Sequence, residues 1–161
     1  MAEPQHPEHV SSYWQAFCTA AGVDPLQRYD VFAFGDSPAM ADELAMLVLH
    51  GPKRATAGLH ADFAAEGEPL PVVGAYSIVL GGAGQPVCVI RTTDVGVLPF
   101  RAVDAAFAWD EGEGDRSLTY WRDAHITFFT RMCAARGVEF SEEMATVCER
   151  FELAWPPAPV S

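Results

Sequence analysis

The sequence predicts an α+β fold with a mostly antiparallel sheet. Amphipathic helical segments alternate with short extended segments, and the glycine-rich turn GGAGQ joins the two most strand-like segments, AYSIVL and PVCVIRTTDVGVL. This pattern is typical of a β-hairpin. Hairpin-connected strands favour α+β over a parallel α/β fold. Neither a GxGxxG nor a P-loop motif is present to indicate a nucleotide-binding α/β domain.

Three helices are predicted from apolar periodicity and capping residues. They lie near residues 11–21, 38–50 and 117–136. The first has Ser11 or Ser12 as N-cap and Gly22 just past its end, where a left-handed residue is common. The second has Ser37 as N-cap and Pro38 at its first position, a combination that begins many helices.

The remaining segments are predicted as strands and loops. YDVFAFGD is a short extended piece before the second helix, and ATVCERFELAW is a final strand with alternating faces. RAVDAAFAWDEGEGD, which follows the hairpin, predicts a short helical turn and then an acidic loop punctuated by glycine.

Length and composition predict one domain over residues 11–155. The chain has 161 residues, half of them hydrophobic, which is enough to bury a full core. The proline-rich ends, 1–10 and 156–161, are expected to be flexible. No apolar run is long enough for a membrane helix and the N-terminus lacks a secretory pattern, so we expect a cytoplasmic protein without membrane contact.

The cysteines are predicted to be free thiols in a reducing compartment. Four cysteines are spread along the chain without CxxC spacing, which argues against a disulfide framework. A zinc site that uses His50 or His125 is the weaker alternative, so no metal ligand is assigned. The sequence therefore predicts no cofactor.

The net charge limits the class of partner. At −12 the chain opposes binding to long duplex nucleic acid, because phosphate neutralisation requires a basic surface. A small basic site that recognises one nucleotide or nucleoside remains open.

Lys53 is the only lysine, whereas the other nine basic residues are arginines. A lysine amine can carry a proton when burial lowers its pKa, but an arginine stays protonated. This difference is a physical reason to keep a lysine at one position. The alternative is a solvated lysine just past a helix C-terminus, where the helix dipole favours a cation.

The acidic loop DEGEGD offers candidate general bases. Clustered carboxylates can raise one another's pKa, and glycines allow a turn that aims one of them inward. The alternative is an ordinary solvated loop. The loop carries Asp110, Glu111, Glu113 and Asp115.

The third predicted helix carries aromatic and arginine side chains that could stack on a nucleobase. Tyr120, Trp121 and Arg122 are adjacent, and His125 follows one turn later. Trp121 is also a candidate core residue, and His125 is by default a structural histidine. Arg91 interrupts an apolar strand, where it either points outward or lines a pocket.

Taken together, several stretches resemble the ASCH domain family. They are FGD, the helix ADELAMLVLHG, the segment GPKRATAGL with its G-x-K-x-x-T pattern, the hairpin, the stretch FAWDEGEGDRSLTYWRDAH, and the terminal VCERFEL. The resemblance runs from about Tyr13 to Trp155 and points to the longer bacterial members. It implies a PUA-like, mostly antiparallel β-barrel flanked by helices, and a role in acting on RNA.

The resemblance implies two activities. Small bacterial members hydrolyse the amide of N4-acetylcytidine with a lysine, a threonine and a glutamate, which match Lys53, Thr56 and Glu113, with Glu111 as the alternative register. Other members are metal-dependent ribonucleases, which would add a divalent metal. We therefore expect an amidohydrolase of an N4-acylated cytidine-type nucleoside. The alternatives are a ribonuclease, an RNA-binding module for short single-stranded RNA, and a sensor of a modified nucleoside.

A surrounding set of residues is expected to bind the substrate in either activity. In the RNA-binding alternative its arginines would form a local basic patch together with Lys53. The set is Arg54, Arg91, Arg116, Tyr120, Trp121 and Arg122.

Overall fold

The computed structural model describes residues 6–157. These residues form five α-helices, a short 3-10 helix (Phe100–Ala102) and five strands, which confirms the predicted α+β class. The helices are α1 (Glu8–Ala21), α2 (Pro38–Leu49), α3 (His60–Glu66), α4 (Ala105–Glu111) and α5 (Leu118–Ala135). The strands are β1 (Tyr29–Ala33), β2 (Ala55–Leu59), β3 (Tyr76–Leu80), β4 (Pro86–Pro99) and β5 (Ala145–Trp155).

The chain forms two compact units. The first contains residues up to 51, 74–91 and the residues from 152 onward, and the second contains residues 52–73 and 92–151. The predicted single domain over residues 11–155 stays a prediction. The parts 1–5 and 158–161 of the predicted flexible ends lie outside the described residues.

The first unit is built on strands β1, β3 and β4, which are neighbours in that order. β3 and β4 form the predicted antiparallel hairpin, with an irregularity between Val79 and Leu80. β1 pairs with β3 in parallel, as the connection through α2 allows. An aromatic cluster that includes Trp14 and Phe17 of α1 packs on Ile78 and Val89 of these strands.

The second unit places β5 between β4 and β2. β2 and β5 are antiparallel, with Thr56 opposite Glu149. The core of this unit joins the strand face of Ala55 and Leu59 to α4 and α5. Its other principal buried members are Phe100, Phe107, Trp121, Phe129 and Cys148.

The predicted helix ends agree with the structure at most caps. The Ser37 hydroxyl accepts a hydrogen bond from the Met40 amide at 3.1 Å, as predicted. Ser117, which was not predicted as a cap, does the same for Tyr120 at 3.0 Å. Gly22 is left-handed at the end of α1, with φ 70°. The start of α1 was predicted too late, because the helix begins at Glu8 after Pro7, so the serines lie inside it.

No helix within residues 6–157 is both long enough and apolar enough to cross a membrane.

Candidate functional site

Lys53 is completely enclosed although it stands only two residues before β2. Its side chain is 1 % exposed, and a lysine is almost never so buried unless it is paired. The ammonium donates to the Ala55 carbonyl at 2.8 Å and to Glu113 Oε2 at 3.0 Å, and more weakly to the Glu111 carbonyl at 3.5 Å. The sole lysine is therefore a buried ion-paired group and not a solvated one.

Both candidate glutamates reach this ammonium. Glu113 makes the direct ion pair and remains 25 % exposed. Glu111 Oε1 lies 3.9 Å from Lys53 Nζ, and its side chain is 1 % exposed. The two carboxylates therefore differ in access to solvent, with Glu113 on the outer side and Glu111 on the inner side of the lysine.

Gly112 allows the acidic loop to approach the lysine backbone. It ends α4 in the left-handed conformation with φ 71°. A Cβ at this position would lie 2.8 Å from the Cα and the amide nitrogen of Lys53. Since this is shorter than a van der Waals contact and the φ value disfavours side chains, only glycine fits between the two glutamates.

His125 of α5 completes a buried charge network with Lys53, Glu111 and Glu113. Its Nε2 lies 3.1 Å from Glu111 Oε2, and its Nδ1 lies 2.8 Å from the Trp121 carbonyl. Because a carbonyl can only accept, Nδ1 is the nitrogen that carries a proton and donates to Trp121. A second proton on Nε2 would pair the ring with the Glu111 carboxylate. The ring stacks on Trp121 with 4.2 Å between centroids, which fixes its orientation.

The shifts in pKa follow from this pairing. Burial would raise the pKa of Glu111, but the charges of Lys53 and His125 and its hydrogen bonds hold it below its ordinary value. Burial would lower the pKa of His125, but the charge and hydrogen bond of Glu111 raise it above its ordinary value. Both shifts therefore favour the charged form of the group concerned.

These opposite pKa shifts predict that the protein is most stable over an intermediate range of pH. The lowered pKa of Glu111 stabilises the fold above the ordinary carboxyl range, and this contribution is lost as pH falls through the folded-state value. The raised pKa of His125 stabilises the fold below its ordinary range, and this contribution is lost as pH rises through the folded-state value. We expect the free energy of unfolding in urea to fall on both sides of this window. His125→Gln should flatten the alkaline side, and an unchanged alkaline side would contradict the assignment.

Cys148 is not a nucleophile at this site. Burial, with a further contribution from the charge of Glu111, raises the pKa of its thiol to about 12. The thiol is thus protonated near neutral pH, and the reactive form of cysteine is the thiolate.

Thr56 lies beside the ammonium along the backbone but on the other face of β2. The Lys53 ammonium binds the carbonyl of Ala55, which belongs to the same peptide unit as the Thr56 amide. Side chains alternate along a strand, so Thr56 points away from the core face of Ala55. Among the described residues, no hydrogen bond joins the Thr56 hydroxyl to Lys53. The predicted common pocket for Lys53, Thr56 and a glutamate stays a prediction.

Two cavities in the described part of the chain are lined by other residues. One, of about 370 Å³, lies in the first unit between the start of α2 and Gly81 and Gly82. The other, of about 100 Å³, lies in the second unit among Val103, Phe107 and Arg150.

The predicted substrate-binding arginines lie at different places. Arg54 Nη1 donates to the Lys53 carbonyl at 2.6 Å, so its guanidinium lies next to the buried lysine. Arg122 pairs with Glu142 on the surface. Arg91 belongs to the first unit, where it pairs with Glu152 at 3.6 Å.

Arg116 lies at the C-terminal end of the acidic loop and binds two of its neighbouring backbone carbonyls. Its amide donates to the Glu113 carbonyl at 3.0 Å, and its Nε donates to the Trp109 carbonyl at 2.9 Å. Its guanidinium carbon lies 3.7 Å from the centre of the Trp109 ring. Arg116 adopts φ 66°, a left-handed conformation uncommon for a residue with a side chain. The loop that carries Glu113 is thus held at both ends.

The predicted aromatic residues differ in access. Tyr120 is 43 % exposed and packs against Gly114. Trp121 is 2 % exposed, with its ring between His125 and Phe100, so neither ring face is left for a nucleobase.

Four residues of the second unit were not expected at a site. His125 was interpreted as structural, and Trp109, Thr92 and Glu149 carried no local signal. The structure places Trp109 under Arg116 with 56 % of its surface exposed. Thr92 Oγ1 donates to Glu149 Oε2 at 2.6 Å. Only the strand register, which a single sequence does not reveal, brings Glu149 opposite Thr56.

No group of three or more His, Cys, Asp or Glu side chains within residues 6–157 is placed to hold a metal ion. The described side chains therefore do not fit the divalent metal that the ribonuclease alternative would need, and no step is derived through one.

Comparison with known proteins identifies the family. The family profile described as ASCH domain matches residues 30–154, so the chain belongs to the ASCH domain family. Its fold is that of these PUA-like domains, an α+β fold with a five-stranded sheet, as the sequence predicted. No functionally curated protein matches the chain.

Two crystal structures are similar over nearly the whole chain. The ASCH domain from Lactobacillus crispatus JV V101 is 31 % identical, with a TM-score of 0.87 over 96 % of this chain and 99 % of that one. A protein from Enterococcus faecalis V583 is 36 % identical, with a TM-score of 0.82 over 92 % of this chain and 91 % of that one.

Proposed function

We propose that this protein is an amidohydrolase that removes the acyl group from an N4-acylated cytidine-type nucleoside. The observation that carries the proposal is the buried Lys53 ammonium, which Glu113 holds at 3.0 Å against the carbonyl preceding Thr56. A hydroxyl nucleophile with a lysine and a carboxylate nearby is a set of groups that can carry out acyl transfer. Family membership gives the RNA-related context.

In this proposal Thr56 is the nucleophile, because the residue is half-buried and the Lys53 ammonium binds the carbonyl of the peptide unit that joins Ala55 to Thr56. Lys53 activates the acyl group and exchanges a proton with the leaving amine. Glu113 orients Lys53 and, since it is 25 % exposed, connects it to solvent. The Thr56 oxygen bonds to the acyl carbon, the C–N bond breaks, and water then releases the acid.

The charge of the protein supports a small substrate. A net charge of −12 repels a long polyanion, whereas a nucleoside carries no phosphate. In addition, Arg122 is paired with Glu142. Of the predicted binding residues, Arg54, Arg116 and Tyr120 are the proposed nucleoside contacts.

A second candidate function is binding of short single-stranded RNA. The observation that favours it is the Arg116–Trp109 stack, with Trp109 56 % exposed and Tyr120 43 % exposed nearby in sequence. Exposed aromatic rings and arginine planes are the groups on which unpaired bases stack.

The test is a screen of acylated nucleosides, with N4-acetylcytidine as the first, in which products are read by mass spectrometry. We expect wild type to release the free nucleoside and Lys53→Ala to lose this activity. Glu143→Gln, which changes an exposed surface ion pair, is the matched control and should behave as wild type. If wild type deacylates nothing but binds a short RNA in fluorescence anisotropy, the second candidate replaces the first.

A further inference from the structure

Glu149 stands directly opposite the proposed nucleophile. In the antiparallel β2–β5 pair, Thr56 is the register partner of Glu149. Directly opposed side chains lie on the same face of a sheet, with Cβ atoms about 5 Å apart. This face is opposite to the one on which Ala55 and Cys148 join the core. A carboxylate and a threonine hydroxyl therefore share one polar stretch of the sheet.

Thr92 holds the Glu149 carboxylate from the third strand. Its hydroxyl, on a residue that is 2 % exposed, donates to Glu149 Oε2 at 2.6 Å. β4, β5 and β2 are neighbours in that order, so Thr92, Glu149 and Thr56 lie across three strands. These three polar side chains are not needed to fill an apolar core. The short hydrogen bond from Thr92 fixes the Glu149 carboxylate next to the position that Thr56 occupies in the strand register.

Lys53 is poorly placed to take the proton from Thr56. Its nitrogen already donates to Ala55 and Glu113, and a protonated amine has donors but no acceptor. Threonine needs an adjacent base, because its free hydroxyl is a weak nucleophile. The acceptor must then be another group on the Thr56 face, and an ionised carboxylate is an acceptor only.

We infer that Glu149 is the general base that takes the hydroxyl proton of Thr56, an inference that rests on the proposed amidohydrolase function. As the Thr56 oxygen bonds to the acyl carbon, its proton passes to Glu149. The C–N bond breaks, and the Lys53 ammonium gives a proton to the leaving amine. Water then attacks the Thr56 ester and gives its proton to the Lys53 amine. The released Thr56 oxygen recovers a proton from Glu149, which restores every group.

Thr92 is a positioning residue in this scheme, since it acts on Thr56 only through Glu149. Its removal should leave substrate affinity unchanged and lower turnover. It should also shift the acid limb of the pH–rate profile, because that limb reports the protonation of Glu149. A purely structural role would not move this limb.

The first experiment compares turnover of N4-acetylcytidine by wild type, Glu149→Gln, Thr92→Val and the control Glu143→Gln. We expect Glu149→Gln to lower kcat by about 10²–10⁴-fold, the range of general base catalysis. Thermal unfolding of each variant verifies that the fold is kept. If folded Glu149→Gln turns over as fast as wild type, the inference is overturned and the proposed function stands.

The second experiment does not depend on the nucleoside. Each protein is treated with p-nitrophenyl acetate, and peptide mass spectrometry measures acetylation of Thr56. Labelling of Thr56 in wild type and in Glu143→Gln, but not in Glu149→Gln, supports the inference even if no nucleoside is hydrolysed, in which case only the proposed substrate is wrong. Absence of both turnover and Thr56 labelling in wild type overturns the inference together with the proposed function.

Discussion

Lys53→Arg is expected to abolish nearly all turnover of the acylated nucleoside. Arginine keeps the positive charge but stays protonated, so it cannot give a proton to the leaving amine and take it back. General acid–base steps contribute about 10²–10⁴-fold in rate. The loss should appear in kcat, measured on N4-acetylcytidine, since the charge that attracts the acyl oxygen is retained.

A guanidinium is also larger than the ammonium that Ala55, Glu111 and Glu113 enclose. The stability of the variant must therefore be measured, because overpacking of a buried site costs typically about 1–3 kcal/mol. A Lys53→Arg protein that is folded and turns over at nearly the wild-type rate would show that Lys53 acts by charge alone.

Glu111→Leu is expected to have the largest effect on stability. Glu111 is 1 % exposed and is the inner carboxylate between Lys53 at 3.9 Å and His125 at 3.1 Å. Its removal leaves two buried cations without their common partner. Breaking a buried ion pair on one side costs about 3–5 kcal/mol, a large part of the stability of a small protein. Urea denaturation near neutral pH measures this loss.

The control for this prediction is Glu143→Leu. Glu143 pairs with Arg101 at 2.7 Å, but the side chains are 68 % and 59 % exposed. Surface substitutions usually change stability by no more than about 0.5 kcal/mol. Equal urea midpoints for the two variants would mean that the buried network contributes nothing to folding.

Much of the fold could be predicted because its signals are local. The cap Ser37 and the β3–β4 hairpin each follow from a few consecutive residues. β2 was not predicted, because ATAGL contains two alanines and a glycine, which have low strand propensity, and it pairs with the distant strand β5. The parallel pairing of β1 with β3 likewise depends on a partner distant in sequence.

The candidate site likewise contains residues that local sequence signals predicted and residues that they did not. Lys53 and the two glutamates were found because each lies in a recognisable short segment, and the structure brings them together. His125 reaches the network only through the packing of α5, and Glu149 reaches Thr56 only through strand register. Both contacts depend on pairing between segments that are distant in the sequence, and no short stretch of the sequence indicates that pairing.

The buried network also determines how the protein responds to salt. With His125 protonated, Lys53 and His125 balance Glu111 and Glu113, and the network is neutral inside an acidic protein. Ions in solution screen exposed charges over about 8 Å at physiological ionic strength, but they screen buried pairs much less. Added salt therefore weakens the acidic field of the surface and leaves the network intact. An uncharged nucleoside would meet the same site in dilute and in concentrated buffer, whereas a polyanion would be repelled less as the ionic strength rises.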